Sequence, residues 1–183
     1  MGEMSVPASA LYGASTQRAV LNFPISGRGV PVEVVEAYAL LKQAAARVNH
    51  RLGKLDADRA DAISAACEVI LGGMGDHGGV APHFPVDVFQ TGSGTSTNMN
   101  ANEVIANLVC LARGEGIGSS KDKAYLEGGG VHPNDHVNMG QSSNDTFPTA
   151  MHIAAALGIK NGLLPAVTKL ASELERCAKA WDE

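Results

Sequence analysis

Apolar residues return at helical spacing in four stretches of the chain. In the first, Val34, Tyr38, Leu41, Ala45, Val48 and Leu52 recur every three or four positions after Pro31, a residue favoured in a first helical turn. Glu33 and Glu36 suit the positive end of that helix, and Gly53 marks its stop. Asp56 is a plausible N-cap for the second helix, with Ile63, Ala66, Cys67, Ile70 and Leu71 as its apolar stripe and Gly72 and Gly73 at its end. A third helix is predicted from Ser96–Asn98 to about Ala112, with Met99, Ile105, Leu108, Val109 and Ala112 toward the core.

The last stretch is the most regular. Leu163, Val167, Leu170, Leu174, Cys177 and Trp181 are spaced 4, 3, 4, 3 and 4 apart, a seven-residue repeat that forms the seam of a helical bundle. The helix extends back to Thr146, with Pro148 in the first turn and Pro165 as a kink or break. If continuous, about 35 residues give a rod of roughly 50 Å. Such a rod needs partner helices along its whole length. The expectation is a bundle completed by further sequence or by other subunits.

Between the helices the pattern weakens. Residues 1–28 read as irregular, with Pro7, Gly13, Pro24 and Gly27. A Gly-rich loop runs through Gly75, Gly78 and Gly79 to Pro85, and Val86, Val88 and Phe89 suit a short extended piece. Arg113 to Gly130 reads as a second loop, rich in Gly and charge, and His132 to Asn144 is densely polar.

Composition narrows the functional classes. With 45% apolar residues in 183, a packed core is affordable, and with only 4% aromatic residues it must be built from small and aliphatic side chains. A formal net charge of -5 leaves no basic stripe to neutralise phosphates, so nucleic acid is a poor partner. No apolar run approaches the roughly 20 residues of a membrane span, and no signal or transit segment opens the chain. Cys67, Cys110 and Cys177 are far apart and fall on apolar helical faces, as buried thiols of a reducing compartment do. The cytoplasm is the expected location.

Two polar clusters stand where helices begin. In Gln90-Thr91-Gly92-Ser93-Gly94-Thr95-Ser96-Thr97-Asn98, the glycines allow close backbone approach and Ser93, Thr95 and Asn98 offer neutral donors. The unpartnered N–H groups of the helix behind them complete an anion seat. There is no Gly-x-x-x-x-Gly-Lys pattern, so a small carboxylate fits better than a nucleotide triphosphate. Gln141-Ser142-Ser143-Asn144-Asp145-Thr146 is a second such seat, and two seats suit a ligand with two carboxylates; ordinary caps and turns are the plainer reading of each. A third cluster, His132-Pro133-Asn134-Asp135-His136, does not follow a zinc spacing, so it reads as a solvated loop or a further anion site.

Residues 87–107, DVFQTGSGTSTNMNANEVIAN, and 131–153, VHPNDHVNMGQSSNDTFPTAMHI, resemble the two N-terminal signature regions of class II fumarases, in the fumarase/aspartase superfamily. The opening LYGASTQRAVLNFPISG, residues 11–27, is similar to the same family. The resemblance implies a mainly α fold, with an N-terminal helical lyase domain over 1–140 and the first long helix of a central helical bundle over 141–183. It implies a carbon–oxygen lyase, a hydro-lyase that reversibly hydrates fumarate to (S)-malate in the tricarboxylic acid cycle without cofactor or metal, as a homotetramer. The family's substrate-site residues carry over onto Ser93, Thr95, Asn98, Ser142, Ser143 and Asn144, and its secondary dicarboxylate site onto His132, Asn134 and Asp135. Either loop can hold either carboxylate.

The family's Gly-Arg-Thr-His segment, which supplies a catalytic His, and its later Gly-Ser-Ser loop, which supplies the Ser base, are not in this sequence. The expectation is an N-terminal fragment that holds no catalytic residue and binds without turnover. Two rivals remain: an aspartate ammonia-lyase of the same superfamily, and a non-catalytic structural relative.

Overall fold

A computed structural model describes residues 3–182. Its elements are helices α1 (Ala14–Asn22), α2 (Val32–Arg51), α3 (Ala57–Leu71), α4 (Thr95–Ala112), α5 (Lys123–Glu127), α6 (Ser143–Gly158) and α7 (Leu164–Trp181). No β-strand occurs among the described residues; one isolated bridge joins Gly29 to Asp87, where the sequence suggested a short extended piece at Val86–Phe89.

Helix α4 is the axis of the packing. From Ser96 to Cys110 nearly every residue is buried, including Asn98, Asn100, Asn102, Glu103 and Asn107. Helices α1, α3 and α6 pack on it, and α2 packs on α3 and α6. Burying polar residues on an axial helix is unfavourable unless each finds a partner. Asn107 and Glu103 find theirs in segments far off in sequence. The Asn107 amide donates to Leu11 O at 2.8 Å and accepts from Gly118 N at 3.0 Å. Glu103 accepts from the N–H groups of Gly13, Ser15 and Thr16 at 2.9–3.0 Å and from the Thr16 hydroxyl at 2.7 Å.

That carboxylate corrects the expectation of an irregular start over residues 1–28. Gly13 is the N-cap of α1 and makes no side-chain cap of its own; Glu103, from another helix, takes the N–H groups of the first turn instead. A second correction concerns Arg113–Gly130, which holds a 3₁₀ turn at Ser119–Lys121 and the short helix α5.

The interior face of α2 keeps only the first part of the stripe the apolar pattern marks, with Tyr38 buried and Val34 packed on the core. Val48 is 50% and Leu52 63% exposed, whereas Val35, Tyr38, Lys42, Gln43, Ala46 and Asn49 are buried. Helix α3 follows its pattern, with Ile63, Ala66, Cys67 and Ile70 inside.

Helix α6 starts at Ser143, three residues earlier than Thr146, so Pro148 falls in the second turn and not in the first. Helices α6 and α7 run on as one rod from Ser143 to Trp181. A π-turn at Ile159–Leu163 precedes Pro165, and the rod does not break there. The wider turn gives the proline ring room and relieves the loss of its N–H. Leu163, Val167, Leu170, Leu174 and Trp181 are all more than half exposed, and Cys177 is half-buried where a buried thiol was expected. The seam exists, and nothing within the described residues covers it.

The rod also revises the expectation of no membrane-length apolar run. By length and composition alone it could cross a bilayer, with a mean hydropathy of 1.2 in its most apolar window. Its first turn, however, is bound into the polar centre described next.

Candidate functional site

Helix α4 opens on Gly94, which takes the left-handed conformation (φ 63°, ψ 23°). Its first turn is partly capped by Gln90, whose Oε1 accepts from Thr97 N at 2.8 Å and whose Nε2 donates to the Thr97 hydroxyl at 2.6 Å. Helix α6 opens on Ser142, whose hydroxyl accepts from Asn144 N at 3.3 Å. These are the starts of the two polar clusters, and the fold brings them face to face.

Contact is made in two rungs. On the outside, the Thr95 and Ser143 hydroxyls lie 2.8 Å apart, and Ser93 Oγ is 2.9 Å from Thr95 Oγ1. One turn further along each helix, Thr146 Oγ1 donates to Asn98 Oδ1 at 3.4 Å. The outer rung is open to solvent: Thr95, Ser142 and Asn144 are exposed, and Ser93 and Ser143 half-buried. The inner rung is sealed, with Asn98 and Thr146 each 2% exposed.

Lys42 of α2 lies beneath the inner rung. Its ammonium donates to Asn98 Oδ1 at 2.7 Å, Gln141 Oε1 at 2.8 Å and Asn138 Oδ1 at 3.0 Å. The amide orientations are fixed by further bonds. Asn98 Nδ2 donates to Asn138 Oδ1 at 3.1 Å, and Gln141 Nε2 to Val137 O at 2.9 Å, which turns both carbonyl oxygens toward the lysine. Burial pushes the Lys42 pKa down to about 7. Three acceptors around one nitrogen are all satisfied only by an ammonium, because the neutral amine has two N–H groups.

Of the substrate-site residues expected from sequence, Ser93, Thr95, Ser142, Ser143 and Asn144 therefore gather at one surface. Asn98 sits one layer below, 2% exposed, with its carbonyl oxygen on Lys42 and one N–H on Asn138. Gly92 has open space around it, but Gly94 acts differently from the expectation of close approach by a ligand. A Cβ at Gly94 would fall within the Phe147 ring of α6, so this glycine lets the two helix starts close on each other.

The third cluster is separate. His132 and Asp135 face each other at 3.0 Å, and the His132 N–H donates to His136 Nδ1 at 2.8 Å. Burial first, and the nearby Arg59 guanidinium second, hold the His136 pKa below its ordinary value. Asn134 and Asp135 are exposed. Arg59 links this cluster to α3 by donating to Gly130 O at 2.9 Å and pairing with Asp56. Among the described residues no hydrogen bond joins it to the Thr95–Ser143 rung, and no group of three or more His, Cys, Asp or Glu side chains gathers to hold a metal ion.

The outer rung is an open shelf. A cavity of about 730 Å³ lies elsewhere, between Gly29, Val35 and Phe84. What the shelf supplies chemically is a group of neutral hydroxyl and amide donors at two helix N-termini over a buried cation, an arrangement that favours small anions. The sequence pattern did not single out Lys42, because it lies off the apolar stripe of α2. Its spacing of four to both Tyr38 and Ala46 was the available signal.

Known proteins share this arrangement of elements. "Fumarate hydratase class II" of Corynebacterium glutamicum is 52% identical over all 183 residues, which cover 34% of that protein. The protein of the same name from Prochlorococcus marinus is 50% identical over the whole chain, covering 36% of it. The chain thus spans about a third of the length of the curated relatives it matches. A cobalt-bound crystal structure of a "fumarate lyase:delta crystallin" from Brucella melitensis superposes on 98% of this chain and 36% of its own, with a TM-score of 0.85 and 40% identity. A recombinant class II fumarase from Schistosoma mansoni matches 91% of this chain and 33% of its own, with a TM-score of 0.79 and 40% identity. A family profile described as "Lyase" matches residues 2–183, and the chain belongs to that lyase family.

Proposed function

We propose that the protein carrying this chain is a fumarate hydratase of class II, and that this chain contributes its dicarboxylate-holding shelf. The observation that carries the reading is the 2.8 Å approach of Thr95 and Ser143, which merges two helix N-termini into one donor surface. Hydration of fumarate requires the carbon next to one carboxylate to carry transient negative charge, which spreads onto that carboxylate. Donors already oriented toward it stabilise that charge. Ser93, Thr95, Ser142, Ser143 and Asn144 are placed to supply such donors. His132, Asn134 and Asp135 are proposed as a secondary dicarboxylate site.

By the family resemblance, the acid and base come from segments outside these residues, so this chain binds and orients but does not turn over alone. The division into a lyase domain over 1–140 and the opening of a bundle over 141–183 belongs to the same proposal. By the same resemblance the whole protein is a homotetramer, and the exposed seam of α7 offers a face for helices of further sequence or of other subunits. The cytoplasm is the proposed location.

The test is a binding and turnover series. Fumarate and succinate are expected to shift the backbone amide resonances of Thr95, Ser96, Ser143 and Asn144, and the diamide of fumaric acid is not. The protein carrying this chain is expected to form malate from fumarate in water, with no requirement for ammonia. Ammonia-dependent loss of fumarate would move the reading to an ammonia-lyase, and absence of any amide shift would leave a structural relative.

A further inference from the structure

We infer that Lys42 is a positioning residue of the dicarboxylate site: from beneath, its ammonium locks the start of α4 to the turn before α6 and gives the shelf its positive charge. The inference rests on the dicarboxylate reading above. Its geometry is independent of that reading.

Three observations carry it. Lys42 is fully buried, and its three bonds go to both halves of the site: Asn98 on α4, and Asn138 and Gln141 in the turn leading into α6. From a third element, Lys42 thus ties together two segments that also touch directly through Asn98 and Asn138 at 3.1 Å. Asn98 and Thr146 are each three residues beyond Thr95 and Ser143, one helical turn. The ammonium therefore lies roughly 5 Å of helix rise, plus one hydrogen bond, below the outer rung.

Finally, the cation has no carboxylate partner. The titratable groups around it are Tyr38 on its own helix, with the ring centroid 6.0 Å away, and Cys67 from α3. Burial raises both to about 12, so both are neutral. Helix α4 and the turn between 138 and 141 face it with the amides of Asn98, Asn138 and Gln141, and the Thr146 hydroxyl of α6 bonds to the same Asn98 oxygen. A buried charge held only by neutral acceptors is unfavourable in isolation. An anion on the shelf compensates it, and in turn favours the ammonium over the amine.

The consequence is a linkage between protonation and binding. Lys42 titrates at a depressed pKa in the free protein, and a dianion on the shelf raises it. Affinity for the dianion is therefore greatest below the free pKa and falls as pH rises above it, by up to about tenfold per unit.

The experiment compares wild type with Lys42→Arg and Lys42→Met in the protein carrying this chain, measuring KM and kcat for fumarate from pH 6 to pH 9. Arginine stays charged across that range. Lys42→Arg is expected to keep binding while losing the alkaline limb of 1/KM. Lys42→Met is expected to raise KM by at least about tenfold, with a smaller change in kcat. Monomethyl fumarate, with one charge fewer, is expected to lose less affinity.

The proposal is overturned if Lys42→Arg shows the same alkaline limb as wild type, a comparison that does not depend on Lys42→Met folding. It is also overturned if a folded Lys42→Met keeps both KM and pH profile. Should the wild-type protein not hydrate fumarate, the functional reading fails by itself. The lock is then read by amide hydrogen exchange, which must accelerate at both Ser93–Thr95 and Ser142–Asn144 in Lys42→Met; unchanged exchange there overturns it.

Discussion

The hydroxyls of Thr95 and Ser143, 48 residues apart in sequence, meet at 2.8 Å across the starts of two helices. Each is accessible enough to turn from the other toward a ligand, and each is anchored through its helix to the Asn98–Thr146 rung below. Thr95→Val keeps the shape of the residue and removes its hydroxyl; Ser143→Ala removes the partner. A hydrogen bond to a charged group contributes about 1.5–3 kcal/mol, so each change should weaken dicarboxylate binding roughly tenfold to a hundredfold. Thermal stability should move little, because both hydroxyls can be solvated. Calorimetric titration with succinate, alongside a thermal melt, checks the two expectations together.

Gly94 holds the same two helices at their distance. Its left-handed backbone disfavours any side chain, and a Cβ would collide with the Phe147 ring. Gly94→Ala adds about 1–2 kcal/mol for the backbone and about 1–3 kcal/mol for overpacking, so a loss of roughly 2–5 kcal/mol is expected in denaturant melts. Phe147→Leu in that background should recover part of the packing loss and none of the backbone loss. Full recovery would show that the left-handed conformation costs nothing here.

Much of this architecture is visible in the sequence, for identifiable reasons. Ile63, Ala66, Cys67 and Ile70 lie inside on α3 as their spacing indicates, because α3 meets its neighbours with an ordinary apolar face. On α2 the same reasoning selects Val48 and Leu52, which are exposed, because the interior there is polar: Lys42, Gln43 and Asn49 point inward to bind groups distant in sequence. Helix α1 is hidden for a related reason. Its first-turn donors are taken by Glu103, some 87 positions away, and no local pattern carries that information. The clusters at Ser93–Asn98 and Gln141–Thr146 are legible as donor groups. That Asn98 faces downward to the lysine is not, since it depends on which amides surround it.

The α7 seam gives a prediction about association. Leu170 and Leu174 are 60% and 62% exposed, so replacing them changes little within the chain itself. Leu170→Asp with Leu174→Asp should alter its intrinsic stability by no more than about 1 kcal/mol in total. If the seam is where subunits meet, the same pair should convert an oligomer of the protein carrying this chain to smaller species in light scattering. An unchanged mass with both aspartates present would place the subunit contact elsewhere.

Glu103 ties acid stability to the N-terminal segment. The carboxylate is 2% exposed; burial would raise its pKa, but the hydrogen bonds from Thr16 and Ser15 and the Lys121 ammonium at 3.3 Å outweigh it and hold the value below the ordinary 4.5. The folded state thus binds this proton less readily than the unfolded chain. The stabilisation is present in full above the unfolded carboxyl's pKa and is lost as pH falls through the lower folded value. Glu103→Gln replaces one acceptor oxygen with a donor that faces N–H groups, and should cost about 2–4 kcal/mol near neutral pH. Because the amide does not titrate, the gap between wild type and variant in urea midpoints should narrow as the solution is acidified below pH 4.5. Exchange of the Gly13, Ser15 and Thr16 amides should accelerate in the variant before that of α3. A gap that stays constant with pH would mean that the Glu103 proton is bound equally in folded and unfolded chains.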